Sequence, residues 1–394
     1  MQPLNSANPA SLAGEPLSAA APYADIVRLP VEKDFTFKAD RKTLVIFEAD
    51  RLPVGQQWLE NGEAADLTHD IATRVAARRA GSTPTLVSQP ISVVICTRDR
   101  PDELRRCLAS FNDQTRMPDE LIVVDNASRD DRTRAVVLAA GATYIREDRP
   151  GLDYARNSGA QAACGEIVLY TDDDTELHEC WVENTVAAFD APDIMAVTGL
   201  VLPARLKTEA QWIFETEWSF GRGYDRIDYG SSFFEQTRRD GCPAWIIGAG
   251  ANMAFRRAVF DQIGFFDERL DVGQAGCSGD SEYWYRVLAA GYVCRYEPRA
   301  VMFHHHRLEM AGLASQIYYY MRGHTAALMV QYQRTRERGN LRRAFVLLPR
   351  YYLELAIRRL RRRSSAKHLF LGKQVAGALA GIGFFLRHPR MPTK

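Results

Sequence analysis

From Ile91 onward, short apolar runs alternate with segments of helical period. The stretches ISVVICT (91–97), ELIVVDN (120–126) and EIVLYT (166–171) are apolar on successive positions, and TYIRE (143–147) adds a shorter run. Runs apolar on both faces predict strands buried on both sides. Between them, PDELRRCLASFNDQT, DDRTRAVVLAAG and LDYARNSGAQAACG read as helices, the first with Pro101 in its opening turn and the second closed by Gly141. Such alternation predicts an α/β domain, a largely parallel sheet covered by helices. Sheets of this kind bind ligands at the carboxyl ends of their strands. The polar clusters TRDR (97–100), DNAS (125–128) and TDDD (171–174) all fall at that rim.

The flanking regions follow other patterns. KTLVIFEADRLPVGQQWLENGE predicts strand, turn and strand, and ADLTHDIATRVAARRAG a helix ending at Gly81. This is a small β-β-α accessory unit over 23–80, read as an interaction or targeting module. A Gly/Ser/Thr/Pro-containing linker, 81–90, separates it from the main domain, 91–328. Residues 1–22, rich in Ala, Pro, Ser and Asn, read as a disordered leader without the regions of a signal peptide. The tail, 329–394, predicts amphipathic helices; its apolar run Val375–Leu386 has twelve residues against the roughly 20 needed to span a bilayer. Either these helices lie on an anionic membrane surface, or they pack on the main domain with a solvated basic face.

Charge sharpens the picture of the tail. The 394 residues carry 50 Lys/Arg and 49 Asp/Glu, but residues 341–394 hold thirteen of the basic residues and one acid, Glu354. The first 340 therefore hold 37 basic and 48 acidic residues, a net charge of −11. An acidic body disfavours nucleic acid as a partner, and a basic tail favours an anionic surface. Seven scattered cysteines with no C-x-x-C argue against a disulfide framework or structural zinc and for a reducing compartment. Neither a G-x-G-x-x-G after the first strand nor a P-loop motif is present, which disfavours a dinucleotide site and removes a P-loop NTPase.

Three consecutive carboxylates, Asp172, Asp173 and Asp174, raise free energy unless something positive accompanies them. One reading is capping of the helix expected in LHECWVENTVAAF, which explains one or two of them. The other is a hard divalent cation, Mg²⁺ or Mn²⁺. Asp125 either caps the next helix or accepts from a nucleobase N–H or ribose hydroxyl. Thr97 and Arg98 are candidates to position a nucleotide, with a surface ion pair to Asp99 or Asp102 as the alternative for Arg98. Arg156 pairs with phosphate or base, or only with Asp153.

Taken in order, SVVICTRDRP, LIVVDNASRD, GLDYARNSG and YTDDDT resemble the nucleotide-binding half of family 2 glycosyltransferases, which have the GT-A fold. IIGAGANMAFRRAVFDQIGFFDERL resembles the acceptor-side segment, and GDSEYWYRVLAAGYVCRYEPRAVMFHHH the segment with the catalytic acid and a late histidine. The resemblance covers roughly 91–328. It implies that Asp125 contacts the base and Arg156 the nucleotide. Asp174 would bind the metal, Asp173 the ribose or metal, and His304 the metal or diphosphate. The base motif departs from the family's acid pair: Gly279 stands where the first acid is usual, so the base falls on Asp280, with Glu282 next. The implied reaction is inverting transfer from a nucleotide-diphosphate sugar to a hydroxyl of a glycan or lipid-linked acceptor. It would require a divalent metal; the cysteine pattern and the basic tail, in turn, predict an enzyme that is cytoplasmic and peripheral at the inner face of the cell membrane. Two alternatives stand beside it, a non-catalytic nucleotide-sugar-binding scaffold and a metal-dependent nucleotidyltransferase.

Overall fold

The computed structural model describes residues 23–31, 35–80, 89–360 and 366–389. The expected leader and most of the expected linker lie outside the described residues. The accessory unit contains one strand more than the sequence pattern predicts: β1 (Asp25–Pro30), β2 (Thr43–Ala49) and β3 (Leu52–Leu59), with the helix His69–Ala80 against them. β1 pairs parallel to β2, and β2 antiparallel to β3. In DIVRLP the apolar positions are split by Arg28 and closed by Pro30, which masks a strand pattern. Both residues suit an edge strand, where proline costs no ladder hydrogen bond, and the Arg28 guanidinium lies 3.9 Å above the Phe303 ring.

The two faces of β2 divide by strand alternation. Val45 and Phe47 join Val54, Ile71 and Val75 in a small local core. Leu44 and Ile46 enter the large core of the main domain beside Leu202 and Phe303. The unit is therefore built onto the main domain, sharing its core, and is not a bead on a linker.

The main sheet comprises β4 (Ile91–Thr97), β5 (Glu120–Asn126), β6 (Thr143–Glu147), β7 (Ile167–Asp172), β8 (Thr175–Leu177), β9 (Ile194–Pro203), β10 (Ile227–Tyr229), β11 (Asn252–Arg256) and β12 (Val293–His304). Their order is β10-β12-β9-β11-β7-β4-β5-β6, with β8 also on β12. β7, β4, β5 and β6 are parallel, as the β-α alternation predicts. β11 enters antiparallel between β7 and β9, and β12 runs parallel to β9. Every residue of β4 is buried, consistent with its unbroken apolar run. The helix Leu152–Ala162 lies so close to it that a Cβ at Gly159 would collide with Val94.

The boundary expected after residue 328 does not exist as a break, because one helix, Met310–Thr335, runs through it. Leu313 and Ile317 pack on Phe214, and Ala326, Ala327 and Val330 pack around Leu270. His324 on this helix meets the Trp245 ring edge-on at 4.7 Å. Burial, with Arg343 adding to it, pushes the His324 imidazole down from 6.5 to about 4. Between those values the unfolded chain binds the extra proton, so stability falls as pH drops from 6.5 towards 4 and this loss stops below 4. The expected loss is about 3 kcal/mol. Chemical denaturation across this window checks it, with His324→Phe lacking that component of the pH dependence.

Candidate active site

The adjacency of β7, β4 and β5 puts three chain segments at one rim: Thr97 pairs in register with Asp125, and Cys96 with Asp172. No helix begins at the aspartates. β8 follows them, and the next helix, Trp181–Ala187, starts after Cys180, so capping does not account for the cluster. Asp125 likewise does not cap the helix Arg132–Ala139, whose N-cap residue is Asp131.

The three aspartates divide by direction. Asp173 turns into the protein, accepting from Thr97 Oγ1 at 2.7 Å and Arg100 Nη1 at 3.0 Å. Asp174 accepts from Arg100 Nη1 at 3.2 Å and lies 3.3 Å from His304 Nε2. Asp172, Asp174 and His304 each offer one ligand atom, all within 4.8 Å of one another. Two carboxylate oxygens and one imidazole nitrogen at that spacing suit a divalent ion such as Mn²⁺. The trio includes Asp172, whereas the resemblance implies Asp173 beside Asp174. Arg100, to which the resemblance gives no role, is the positive group nearest the cluster.

The electrostatics fit a cation-accepting site. Burial first, then the charge of Asp174, pushes Asp172 up to about 6 and Asp173 up to about 7. Burial also pushes Asp174 upward, but His304, Arg100 and Arg307 outweigh it and hold its carboxyl well below the usual range. Burial lowers His304, yet Asp174 and Asp172 carry it above the ordinary imidazole value. The cluster thus holds protons near neutrality that a divalent ion would displace.

The histidine run alternates as a strand end should. His305 Nε2 pairs with Glu176 Oε1 at 2.7 Å. His306 lies on the side of His304, their Nδ1 atoms 3.1 Å apart, and its Nε2 is 3.0 Å from Glu215 Oε2. His306 and Glu215 are both about 5% exposed. One His therefore sits in the trio, one supports it, and one is engaged elsewhere.

Thr97 and Asp125 are covered. Thr97, 3% exposed, is occupied by Asp173, and Asp125, 0% exposed, accepts from Ser128 N, Tyr144 Oη and Arg146 Nη1. Tyr144 and Arg146 line an open cleft of about 380 Å³ with Ser128, Arg129 and Arg134. Arg98 is exposed and makes no ion pair among the described residues; Asp99 pairs with Arg129 and Asp102 with Arg105.

Across the rim lies a second charged cluster. Arg156, 3% exposed, donates through Nη1 to Asp153 Oδ1 at 3.0 Å and Asp271 Oδ2 at 2.6 Å. Asp280 is half-buried in the first turn of the helix Gly279–Ala289. Its Oδ1 accepts from Ser281 N at 2.6 Å and Ser281 Oγ at 3.2 Å. Its Oδ2 faces Gly250 beside Arg156 Nη2, leaving no room for a Cβ at 250. Burial, then the charge of Asp271, raises the Asp280 carboxyl, with Arg156 opposing. Glu282, the other candidate base, is 0% exposed and bound to Arg286 Nε at 2.9 Å. It is a framework residue.

The cluster also explains Gly279. A Cβ there would fall on the carboxylate of Asp153, whose buried Oδ2 has no hydrogen-bond partner. A negative group thus reaches this place from the helix Leu152–Ala162. The Arg156–Asp153 pair is one that the sequence offers, three residues apart on one helix; Asp271, which comes from a separate segment, leaves no local motif.

Comparison with known proteins points one way. Residues 92–264 match the model for glycosyl transferase family 2. The chain is 27% identical over 261 residues to the O-antigen biosynthesis protein RfbC of Myxococcus xanthus, 64% of this chain and 20% of that protein. It is 28% identical over 198 residues to the glucosyl-dolichyl phosphate glucuronosyltransferase of Haloferax volcanii, 47% of this chain and 58% of the relative. The matches thus span from a fifth to under three-fifths of these relatives' lengths. Among solved structures, the mannosyltransferase PcManGT of Pyrobaculum calidifontis, in complex with GDP-Man and Mn²⁺, superposes with a TM-score of 0.51. It shares 16% identity, over 78% of this chain and 92% of that one, a likeness of fold.

Proposed function

We propose, from the match of residues 92–264 to the model for glycosyl transferase family 2, that the protein transfers a sugar from a nucleotide-diphosphate donor to an acceptor hydroxyl with inversion. The observation that carries this reading is the meeting, at one strand rim, of the Asp172, Asp174 and His304 trio with a half-buried carboxylate, Asp280, across Arg156.

Asp172, Asp174 and His304 would hold Mn²⁺ or Mg²⁺. Such an ion supplies charge compensation for the diphosphate leaving group as the glycosidic bond breaks. His304 offers Nε2 to the trio when its Nδ1 carries the proton, donated to His306 Nδ1; His306 then donates from Nε2 to Glu215. Asp173, turned inward onto Thr97 and Arg100, would not meet ribose or ion directly; it holds Arg100 beside Asp174 of the trio. Asp125 holds Tyr144 and Arg146 at the wall of the neighbouring cleft, through which it would influence base recognition. Arg98 is an exposed cation that would be available to the nucleotide phosphates, and Arg156 orders the carboxylates between donor and acceptor.

Asp280 is the proposed general base. With Oδ1 fixed by Ser281, Oδ2 is the atom to take the acceptor proton as the hydroxyl attacks. One base and one displacement invert the anomeric centre without a covalent intermediate. The relatives' names support a glycan or lipid-linked acceptor, met at the inner face of the cell membrane.

Analysis of the released nucleotide tests the reaction class. A glycosyltransferase liberates nucleoside diphosphate, expected here in proportion to sugar transferred. Pyrophosphate would signify nucleotidyl transfer, and nucleotide-sugar binding without turnover would signify a scaffold.

A further inference from the structure

The helices Leu348–Leu360 and Leu371–Arg387 each bury one face and expose another that is also apolar. Leu348, Tyr352 and Leu355 of the first are buried, and Leu348 and Tyr352 pack with Leu328 and Met329. On its outer side Leu353 and Leu360, seven residues apart, are 61% and 83% exposed, with Ile357 on the same stripe. The second helix repeats the arrangement with Leu379 and Leu386, 66% and 69% exposed and again seven apart. Large aliphatic side chains repeated on a solvent face mark an interaction surface.

Charge identifies the occupant. Arg350, Arg358, Arg359, Lys373 and Arg387 are exposed around these stripes. The only acid in residues 341–394, Glu354, is paired with Arg350 at 3.0 Å. Two copies of so basic a surface would repel each other. The net charge of −11 on the first 340 residues would be repelled by the same anionic surface that attracts the tail, which orients the molecule.

By length and composition, Lys367–Arg387 is apolar enough to cross a membrane, but the fold holds it in place. Gly377 and Gly381 seat it directly on the backbone carbonyls of Tyr318 and Arg322. The chain beyond it is tied by Arg269 Nη1 to the carbonyls of His388 and Pro389, each at 3.3 Å, and by Gln333 Nε2 to Pro389 at 2.6 Å.

We propose that the outer faces of these two helices form one docking surface that lies on an anionic phospholipid bilayer. The aliphatic stripes enter the acyl boundary and the flanking arginines meet lipid phosphates. This deepens the reading of a membrane-face transferase by naming its contact surface. Lipid binding is measured without sugar transfer, so either idea can fail alone.

The test is co-sedimentation of the full-length protein with phosphatidylcholine vesicles, with and without phosphatidylglycerol. The wild type is expected to bind the anionic vesicles only, and less in high salt. The triple variant Leu353→Asn, Leu360→Asn, Leu379→Asn, altered only at exposed positions, should keep its circular dichroism and lose binding by about tenfold or more. Arg358→Gln with Arg359→Gln should weaken binding and flatten its salt dependence. The proposal is overturned by absent or lipid-indifferent binding, or by a triple variant that folds and binds like wild type. Resistance to alkaline extraction, meaning a spanning helix, or self-association through the same leucines without vesicle binding, would also overturn it.

Discussion

Asp280→Asn lowers kcat by about 10²- to 10⁴-fold while nucleotide affinity stays near that of wild type. Asparagine keeps the shape of the side chain and can still accept the Ser281 hydrogen bonds at Oδ1, so the fold is expected to survive. What it cannot do is take a proton. Asp280 lies across Arg156 from the trio proposed to hold the metal, which is the reason to expect turnover and nucleotide binding to separate. Its carboxyl is raised by burial and by Asp271, and the base proposed here would work only when ionised. Activity should therefore decline on the acid side at a pH above that of an ordinary carboxylate. Steady-state kinetics with donor titrations and a pH profile check both points. A variant with full turnover would move the base elsewhere.

Gly279→Ala destabilises the protein by about 1–3 kcal/mol, a large effect for one methyl group on a first helical turn. The added Cβ would overlap the Asp153 carboxylate, which is fully buried and held by Arg156. Asp153 cannot simply move away, because its other oxygen is the one Arg156 grips. The diagnostic variant is the double substitution Gly279→Ala with Asp153→Ala. Removing the carboxylate opens the space, so the double variant should lose less stability than the sum of the two single changes. Denaturation of all four proteins measures the coupling. Simple additivity would mean that Gly279 is required for some reason other than Asp153.

Much of this architecture is visible in the chain itself, and the reason is periodicity. The unbroken apolar runs ending at Thr97, Asp125 and Asp172 announce buried parallel strands, and the rule for carboxyl ends then locates the polar rim. What periodicity does not carry is the direction of each side chain beyond a strand end. Three adjacent aspartates look equivalent in sequence, yet Asp172 and Asp174 share a side with His304 while Asp173 faces Thr97 and Arg100. Asp125 and Thr97 stand at the expected places but are covered, Asp125 by Tyr144 and Arg146 of β6 and Thr97 by Asp173 just after β7. Groups assembled across long separations, such as Asp153 beside Gly279 or Glu215 beside His306, carry no local motif. β1 was hidden because an edge strand tolerates the arginine and proline that break its pattern.

An aspartate cluster that serves as a divalent-cation site for a nucleotide must bind nucleotide through the ion. Titration calorimetry of UDP, dTDP and GDP, with and without Mn²⁺, on wild type and Asp174→Ala tests it most directly. At least one nucleotide is expected to bind only with Mn²⁺, and Asp174→Ala to abolish this binding in folded protein. Nucleotide binding indifferent to both the metal and Asp174, or no nucleotide binding by folded wild type, would contradict it.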